Sequence, residues 1–408
     1  YKKNVTIYSL FVFIVTFFCF AFFSQQFLLA ETYIDDTNNA NGFGGGAHTN
    51  TQWDAGNSWI EMDATGLTNG FATFTSRIID AGSNAQWDSI SWNPQRPSLK
   101  ELPNNDGIET EYAFGNLDMS ETIVLLHLND DLGATTFTDT SGNGNTGSCD
   151  SDANGCPSST SSGKFSNAFF FDGVDDSIEL PSQPVSSLIA DEFTISFWVH
   201  PGAIADRPTF GFTNSGGWND QNPIASYDGV FNIGDGAFST QFLSALPEAE
   251  ANTWTHYAIV DTGTHYVRYV NGVEIASTAI TVNPSFVGNR VFTIGQSGFD
   301  PFFDDHFNGI FDEFLILGRD LSETEVLDMY KRGALRLNFQ VRSCNDGACV
   351  GENFSGPDGT EDTFYSELVT STTSTPSKAI SISRNRYFQY RTMFQTSSST
   401  LSPEITSV

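Results

Sequence analysis

The run Asp139-Thr140-Ser141-Gly142-Asn143-Gly144-Asn145 gathers carboxylate, amide and backbone oxygens in one short turn, the hard ligands that calcium prefers. The same residues would equally serve a solvated turn in which Asp139 caps backbone amides. Asp172, Asp175 and Asp176 form a second acidic group, which reads as a turn with charged tips, with metal binding as the alternative. Trp218 sits in the polar loop Asn214-Ser215-Gly216-Gly217-Trp218-Asn219-Asp220. An indole on a loop, flanked by the Asn219 amide and the Asp220 carboxylate, suits stacking on the apolar face of a sugar. Its alternative is a lid folded over the core. Farther along, Phe299 to Phe307 crowds aromatics beside Asp304, Asp305 and His306, either as a rim of that ligand site or as a plug at an open sheet edge.

Covalent chemistry has less to work with. Sandwich-type glycosidases set carboxylates at alternating strand positions so that they face one cleft. Glu61-Met62-Asp63 begins that spacing but lacks a third acid. The six histidines, His48, His127, His200, His256, His265 and His306, are scattered, and none adjoins a Ser or Cys that it would activate. No Gly-rich phosphate loop followed by Lys occurs. The formal net charge of −31 argues against nucleic acid, whose phosphates would repel the chain.

What must position these groups is mostly strand. In 408 residues there are 36 Gly and 37 Phe but only 16% charged residues, a balance that favours strands and turns. Phe193, Ile195, Phe197 and Val199 alternate with Thr194, Ser196 and Trp198, so the four share one face of a strand. Tyr266–Val270, Asn271-Gly272 and Val273–Ile275 spell a tight hairpin. One soluble helix is expected: Ser322 and Glu325 make a capping box, Val326, Met329 and Tyr330 share a face, and Gly333 ends it behind Lys331 and Arg332.

Lys2-Lys3, the apolar run Ile7–Phe23 and Ala30 before Glu31 read as a secretory signal peptide, or failing cleavage as a membrane anchor, over residues 1–30. A chain opening on Tyr1 is expected to be a piece of a longer protein. In an exported protein the close pairs Cys149/Cys156 and Cys344/Cys349 are expected to form local disulfides, each worth roughly 2–2.5 kcal/mol by chain entropy. A single zinc site using all four thiolates is the competing reading.

Residues 31–50 and the Pro-containing stretch 96–120 read as linkers. Strand patterns in 51–95 are too few for a stable sandwich, as are those in 335–408, but together they suffice. We therefore expect a discontinuous β-sandwich from 51–95 plus 335–408, interrupted by an inserted domain over 121–333.

That inserted segment resembles the laminin G-like, concanavalin A-like jelly-roll family. The likeness rests on four motifs in order: Asp139–Asn145, Phe171-Asp172-Gly173-Val174-Asp175-Asp176, the strand ending Phe197-Trp198-Val199, and Phe307-Asn308-Gly309-Ile310-Phe311-Asp312-Glu313. The resemblance implies an all-β fold: an antiparallel jelly-roll sandwich, inserted in or flanked by the smaller β-sandwich. It implies ligand binding without catalysis and often a structural calcium. Asp312 matches a late acidic position that in some relatives reaches the same ion as the Asp139 loop. The expected metal ligands are thus Asp139, Asn143 and Asp312, and the expected ligand-binding residues Trp218, Asn219, Asp220 and His306.

The expected function is a non-catalytic extracellular module, secreted or on the cell surface, that binds carbohydrate or mediates adhesion. Its partner would be a glycan or a surface protein, with a membrane involved only through an uncleaved N-terminal segment. The alternatives are a structural or protein-binding spacer, and an accessory part of a secreted polysaccharide-degrading enzyme.

Overall fold

The computed structural model describes residues 31–408 except 105–106, 150–154, 182–191, 204–208, 214–223, 228–229, 235–239, 244–249, 285–290, 297–305 and 368–375. Asp35–Val408 forms one compact unit, built overwhelmingly from antiparallel strands.

Two eight-stranded sheets make the jelly roll. One has strands Phe193–Pro201, Asn308–Leu317 and Thr255–Asp261 at its centre, with Thr122–Leu126 also paired to Asn308–Leu317. The other runs through Phe210–Thr213 and Val291–Ile294. Phe193, Ile195, Phe197 and Val199 all point into the shared core, where Phe197 meets Phe210 across the two layers at a ring-centroid distance of 5.2 Å. At about 1.5–3 kcal/mol per fully buried large apolar side chain, this layer of phenylalanines is the main drive for closing the sandwich. The Asn271-Gly272 turn joins His265–Val270 to Val273–Ala279 with both turn residues at positive φ, 50° and 76°, as a two-residue hairpin requires.

The opposite face of the central strand is buried too. Thr194, Ser196 and Trp198 are covered by the helix Glu323–Ala334 and by the stretch around Leu99, Leu102, Leu117 and Met119. The segment expected as a linker over 96–120 thus contributes core residues. Burial obliges the polar side chains to find partners inside. Thr194 Oγ1 donates to the Arg319 carbonyl (2.9 Å), and Ser196 Oγ bonds His256 Nε2 (2.9 Å).

Early and late strands share sheets. Asn385–Thr396 lies between Phe71–Thr75 and Leu335–Cys344, and Ile405–Ser407 lies between Trp59–Met62 and Asn93–Pro94. Trp92 stacks on Phe339 at 4.4 Å. Phe43, in the stretch 31–50, is fully buried against Phe74.

The helix has its capping box and runs one residue beyond Gly333. Gly333 is not a left-handed cap; it lies in the last turn because Trp198 packs on it. A Cβ at 333 would fall 2.5 Å from Trp198 Cζ2 and 3.0 Å from Lys164 Cε. Gly→Ala inside a helix ordinarily gains about 1 kcal/mol. Here we expect Gly333→Ala to cost about 1–3 kcal/mol in urea unfolding, the penalty of overpacking. A gain in stability would show that the Trp198 contact yields freely.

Candidate functional site

On strand Asn308–Leu317, pairing with the central strand slips between Ser196↔Leu315 and Trp198↔Asp312, so two residues, Glu313 and Phe314, oppose Phe197 alone. This is a β-bulge, and Glu313 adopts a left-handed φ of 52° within it. The bulge leaves two successive carboxylates, Asp312 and Glu313, both buried. Asp312 Oδ2 accepts the amides of Lys164 (2.6 Å) and Phe165 (3.1 Å). Glu313 Oε2 accepts the Leu102 amide (2.9 Å), and its Oε1 bonds His127 Nδ1. On the far side of that ring, His127 Nε2 meets Asn104 Oδ1 at 2.7 Å. Glu101 Oε1 accepts from Asn129 Nδ2 (3.0 Å). One ligand-type atom from each of Glu101, His127 and Glu313 lies within 4.8 Å of the others.

Burial, reinforced by neighbouring Glu313, pushes the Asp312 carboxyl well above the usual range and raises that of Glu101. Burial opposes charge on His127, but Glu313 beside it prevails and holds the imidazole up at about 9. Lys164, its Nζ 4.2 Å over the Trp198 ring, is pushed by burial down to about 7.

The expected metal ligands fall in two places. Asp139 Oδ1 accepts the amides of Leu125 and Ser141 (both 3.0 Å), and Oδ2 accepts Ser141 Oγ (2.9 Å) and the Asn145 amide (2.7 Å). Asn143 Nδ2 donates to the carbonyls of Thr122 (2.5 Å) and Ile123 (3.3 Å). These bonds brace the Gly/Asn loop against strand Thr122–Leu126. Asp139 and Asp312 share no hydrogen-bond partner among the described residues, and neither belongs to a described group of three potential metal ligands. In the Asp172/Asp175/Asp176 turn, Asp172 Oδ1 accepts the Val174 amide and Asp176 Oδ2 the Asp172 amide (both 2.8 Å). His306 is half-buried and bridges to Gln296. Trp218, Asn219 and Asp220 lie outside the described residues.

A cleft of about 390 Å³ opens elsewhere, lined by Gln52, Glu61, Arg96, Lys331, Ser402 and Glu404 among others. Glu61 accepts from Trp59 Nε1 (3.0 Å) and Gln52 Nε2 (2.9 Å); Arg96 pairs with Glu404 at 3.0 Å, and Lys331 with Asp328 at 3.1 Å. Asp63, the other acid of the Glu61-Met62-Asp63 run, instead caps the helix Ala64–Asn69 through the Gly66 amide (2.8 Å). No local motif signals this cleft, because its charged groups come from four distant segments. Nor does any motif signal the Glu101/His127/Glu313 cluster, apart from Glu313 closing the last family-like run.

Both cysteine pairs are bonded, Cys149–Cys156 and Cys344–Cys349, each with a Cα separation of 5.1 Å. Among the described residues, no helix is long and apolar enough to cross a membrane.

Residues 172–327 match the family model of the concanavalin A-like lectin/glucanases superfamily. The jelly roll of this chain is therefore of the concanavalin A-like type. No curated protein matches the chain. Among solved structures, domain 4 of AbnA, an extracellular arabinanase from Geobacillus stearothermophilus in complex with arabinotriose, is 21% identical, with a TM-score of 0.39; the match covers 52% of this chain and 98% of that domain. The binding domain of botulinum neurotoxin DC in complex with rat synaptotagmin II is 16% identical, with a TM-score of 0.39, over 58% of this chain. The same toxin domain in complex with SialylT is 16% identical, with a TM-score of 0.40, also over 58% of this chain. This chain spans 62% of the length of each toxin domain.

Proposed function

We propose that the protein is a non-catalytic extracellular binding module whose ligand is a carbohydrate. The observation that carries this reading is the match of residues 172–327 to a superfamily named for lectins and glucanases, on a jelly roll of two packed sheets. Within that superfamily name, the residue types favour the lectin over the glucanase. The eight strands of the sheet containing Phe210–Thr213 carry a single acidic residue, Glu179, whereas glycoside hydrolysis needs a pair of carboxylates about 5–9.5 Å apart. The two disulfides suit an oxidising, extracellular setting. Calcium does not enter this reading, because protein donors already occupy the Asp139 carboxylate.

A glycan array probed with the intact chain tests the proposal. We expect a defined subset of glycans to be retained and Trp218→Ala to weaken that binding at least tenfold. A folded protein that retains no glycan above background rejects the carbohydrate reading and leaves a spacer or protein-binding role. Unchanged binding by Trp218→Ala removes that ring from the site.

A further inference from the structure

We propose that the cleft lined by Glu61, Glu404, Arg96 and Lys331 is a second binding site, which takes a primary ammonium on an apolar stem: the lysine side chain of a partner polypeptide. Its volume of about 390 Å³ is that of a small-ligand site, and it lies where such sites are common, at a junction of separately built parts. The hairpin Thr51–Asp54/Trp59–Met62, the start of the 96–120 segment, the helix Glu323–Ala334 and the stretch 400–404 all contribute to it.

Charge selects the ligand. Glu61 is held by two neutral donors, Gln52 Nε2 on Oε1 (2.9 Å) and Trp59 Nε1 on Oε2 (3.0 Å). These fix the carboxylate without neutralising it. Each oxygen keeps a lone pair, and Glu61 makes no ion pair among the described residues. Glu404 gives Oε2 to Arg96 Nε (3.0 Å) and has no donor on Oε1 among the described residues. Both cations of the lining are already engaged: Arg96 lies between Glu404 and Asp328 (3.6 Å), and Lys331 holds Asp328 at 3.1 Å. Three carboxylates thus share two cations, and Glu61 is the one left over. The shortfall is felt by its neighbour. Burial raises the Glu404 carboxyl even with Arg96 bonded to it, and the Glu61 charge adds to the rise.

One positive charge completes this set, whereas a second would face Arg96 and Lys331. Met62, Leu67, Leu335 and Leu401 line the same cleft and give the methylenes of a lysine stem an apolar wall. The net charge of −31 draws a basic partner toward the chain from a distance.

The test titrates the intact chain with Nα-acetyl-lysine amide, followed by saturation-transfer NMR. Nα-acetyl-norleucine amide, which has the same stem and no ammonium, serves as the control, and cadaverine as the free diamine. We expect saturable binding of the lysine amide, weaker binding of cadaverine and none of the norleucine amide. Glu61→Gln should melt like the parent yet bind the lysine amide at least about tenfold more weakly, as loss of a charge-assisted bond requires. Lys331→Gln removes a competing cation and should bind it about threefold more tightly. A folded parent that does not bind the lysine amide overturns the site. So does equal binding of the norleucine amide, or unchanged affinity in Glu61→Gln. Cadaverine binding more tightly than the lysine amide rejects a polypeptide side chain as the ligand. The inference does not rest on the carbohydrate reading: glycan retention with or without Trp218 leaves it untouched, and its failure leaves that reading standing.

Discussion

Replacing Arg332 with Ala is expected to destabilise the protein by about 3–5 kcal/mol, the cost of removing one partner from a buried ion pair. Arg332 is 1% exposed and lies in the last turn of the helix Glu323–Ala334. Its guanidinium grips Glu109 with two bonds, 2.7 and 2.9 Å, and also donates to the carbonyls of Gly115 (3.3 Å) and Glu101 (3.4 Å). One side chain thus ties the helix to the 96–120 segment at three points. Burial alone would raise the Glu109 carboxyl, but Arg332, with Lys100 behind it, brings it below the usual range. Without Arg332, the buried carboxylate keeps only the Leu117 amide at 3.4 Å and Lys100, 3.6 Å away. The double variant Arg332→Met with Glu109→Leu should recover most of the loss, since apolar isosteres replace buried pairs at little cost. Urea unfolding of the two single variants and the double variant gives the coupling. A cost below about 1 kcal/mol for Arg332→Ala would mean that water replaces the guanidinium and that the segment is held by its leucines alone.

Arg332 also shows where sequence reasoning reaches its limit. Its position at a helix end suggests a solvated cation facing the macrodipole, and the capping box and apolar face around it are read correctly from spacing alone. Spacing cannot show that a Pro-containing stretch more than two hundred residues earlier folds over that end. The same limit applies to the central strand. Alternation correctly sends Phe193, Ile195, Phe197 and Val199 to the core, and it suggests solvent for Thr194 and Ser196. Both are buried because the helix and the 96–120 segment form a second cover that has no periodicity to announce it.

Local chemistry was legible where a turn or cap depends on adjacent residues, as at Asn271-Gly272 and Ser322/Glu325. The Asp139 loop was legible as a turn rich in oxygen, but whether those oxygens face an ion or the backbone depends on how the loop packs on strand Thr122–Leu126, whose Leu125 amide donates to Asp139 Oδ1 and whose Thr122 and Ile123 carbonyls accept from Asn143 Nδ2. The left-handed φ at Glu313 leaves no trace in the sequence, since a bulge is a property of two strands in register. Clusters assembled from distant segments, such as Glu101/His127/Glu313, appear only once the strands are paired.

Stability should fall as pH rises from about 4.5 to 8 by roughly 3–5 kcal/mol on account of Glu367 alone. Its carboxyl is buried where the 96–120 segment meets the late strands, and burial pushes it up to about 8. Tyr112 Oη donates to Oε1, while the Ser98 amide (3.1 Å) and hydroxyl (3.4 Å) donate to Oε2. Lys100, the nearest cation, is turned toward Tyr112 Oη at 2.7 Å, and its own charge is disfavoured by burial. The sign follows from proton binding. Between the unfolded value near 4.5 and the folded value near 8, the native chain holds a proton that the unfolded chain has released. Stability is therefore fully present below the first value and lost as pH passes the second. Other buried groups bend the raw profile. His256, pushed down to about 3 by burial, adds stability as pH rises from 3 to 6.5, and Lys164, pushed down to about 7, adds it from 7 to 10.5. His127, held up at about 9, removes it from 6.5 to 9. The quantity to measure is thus the difference between the parent and Glu367→Gln in urea unfolding at several pH values. Gln stays neutral, so the parent should lose ground to it steadily across the window. A difference that stays flat from pH 4.5 to 8 would mean that Glu367 is ionised throughout, held by Lys100 as a buried ion pair.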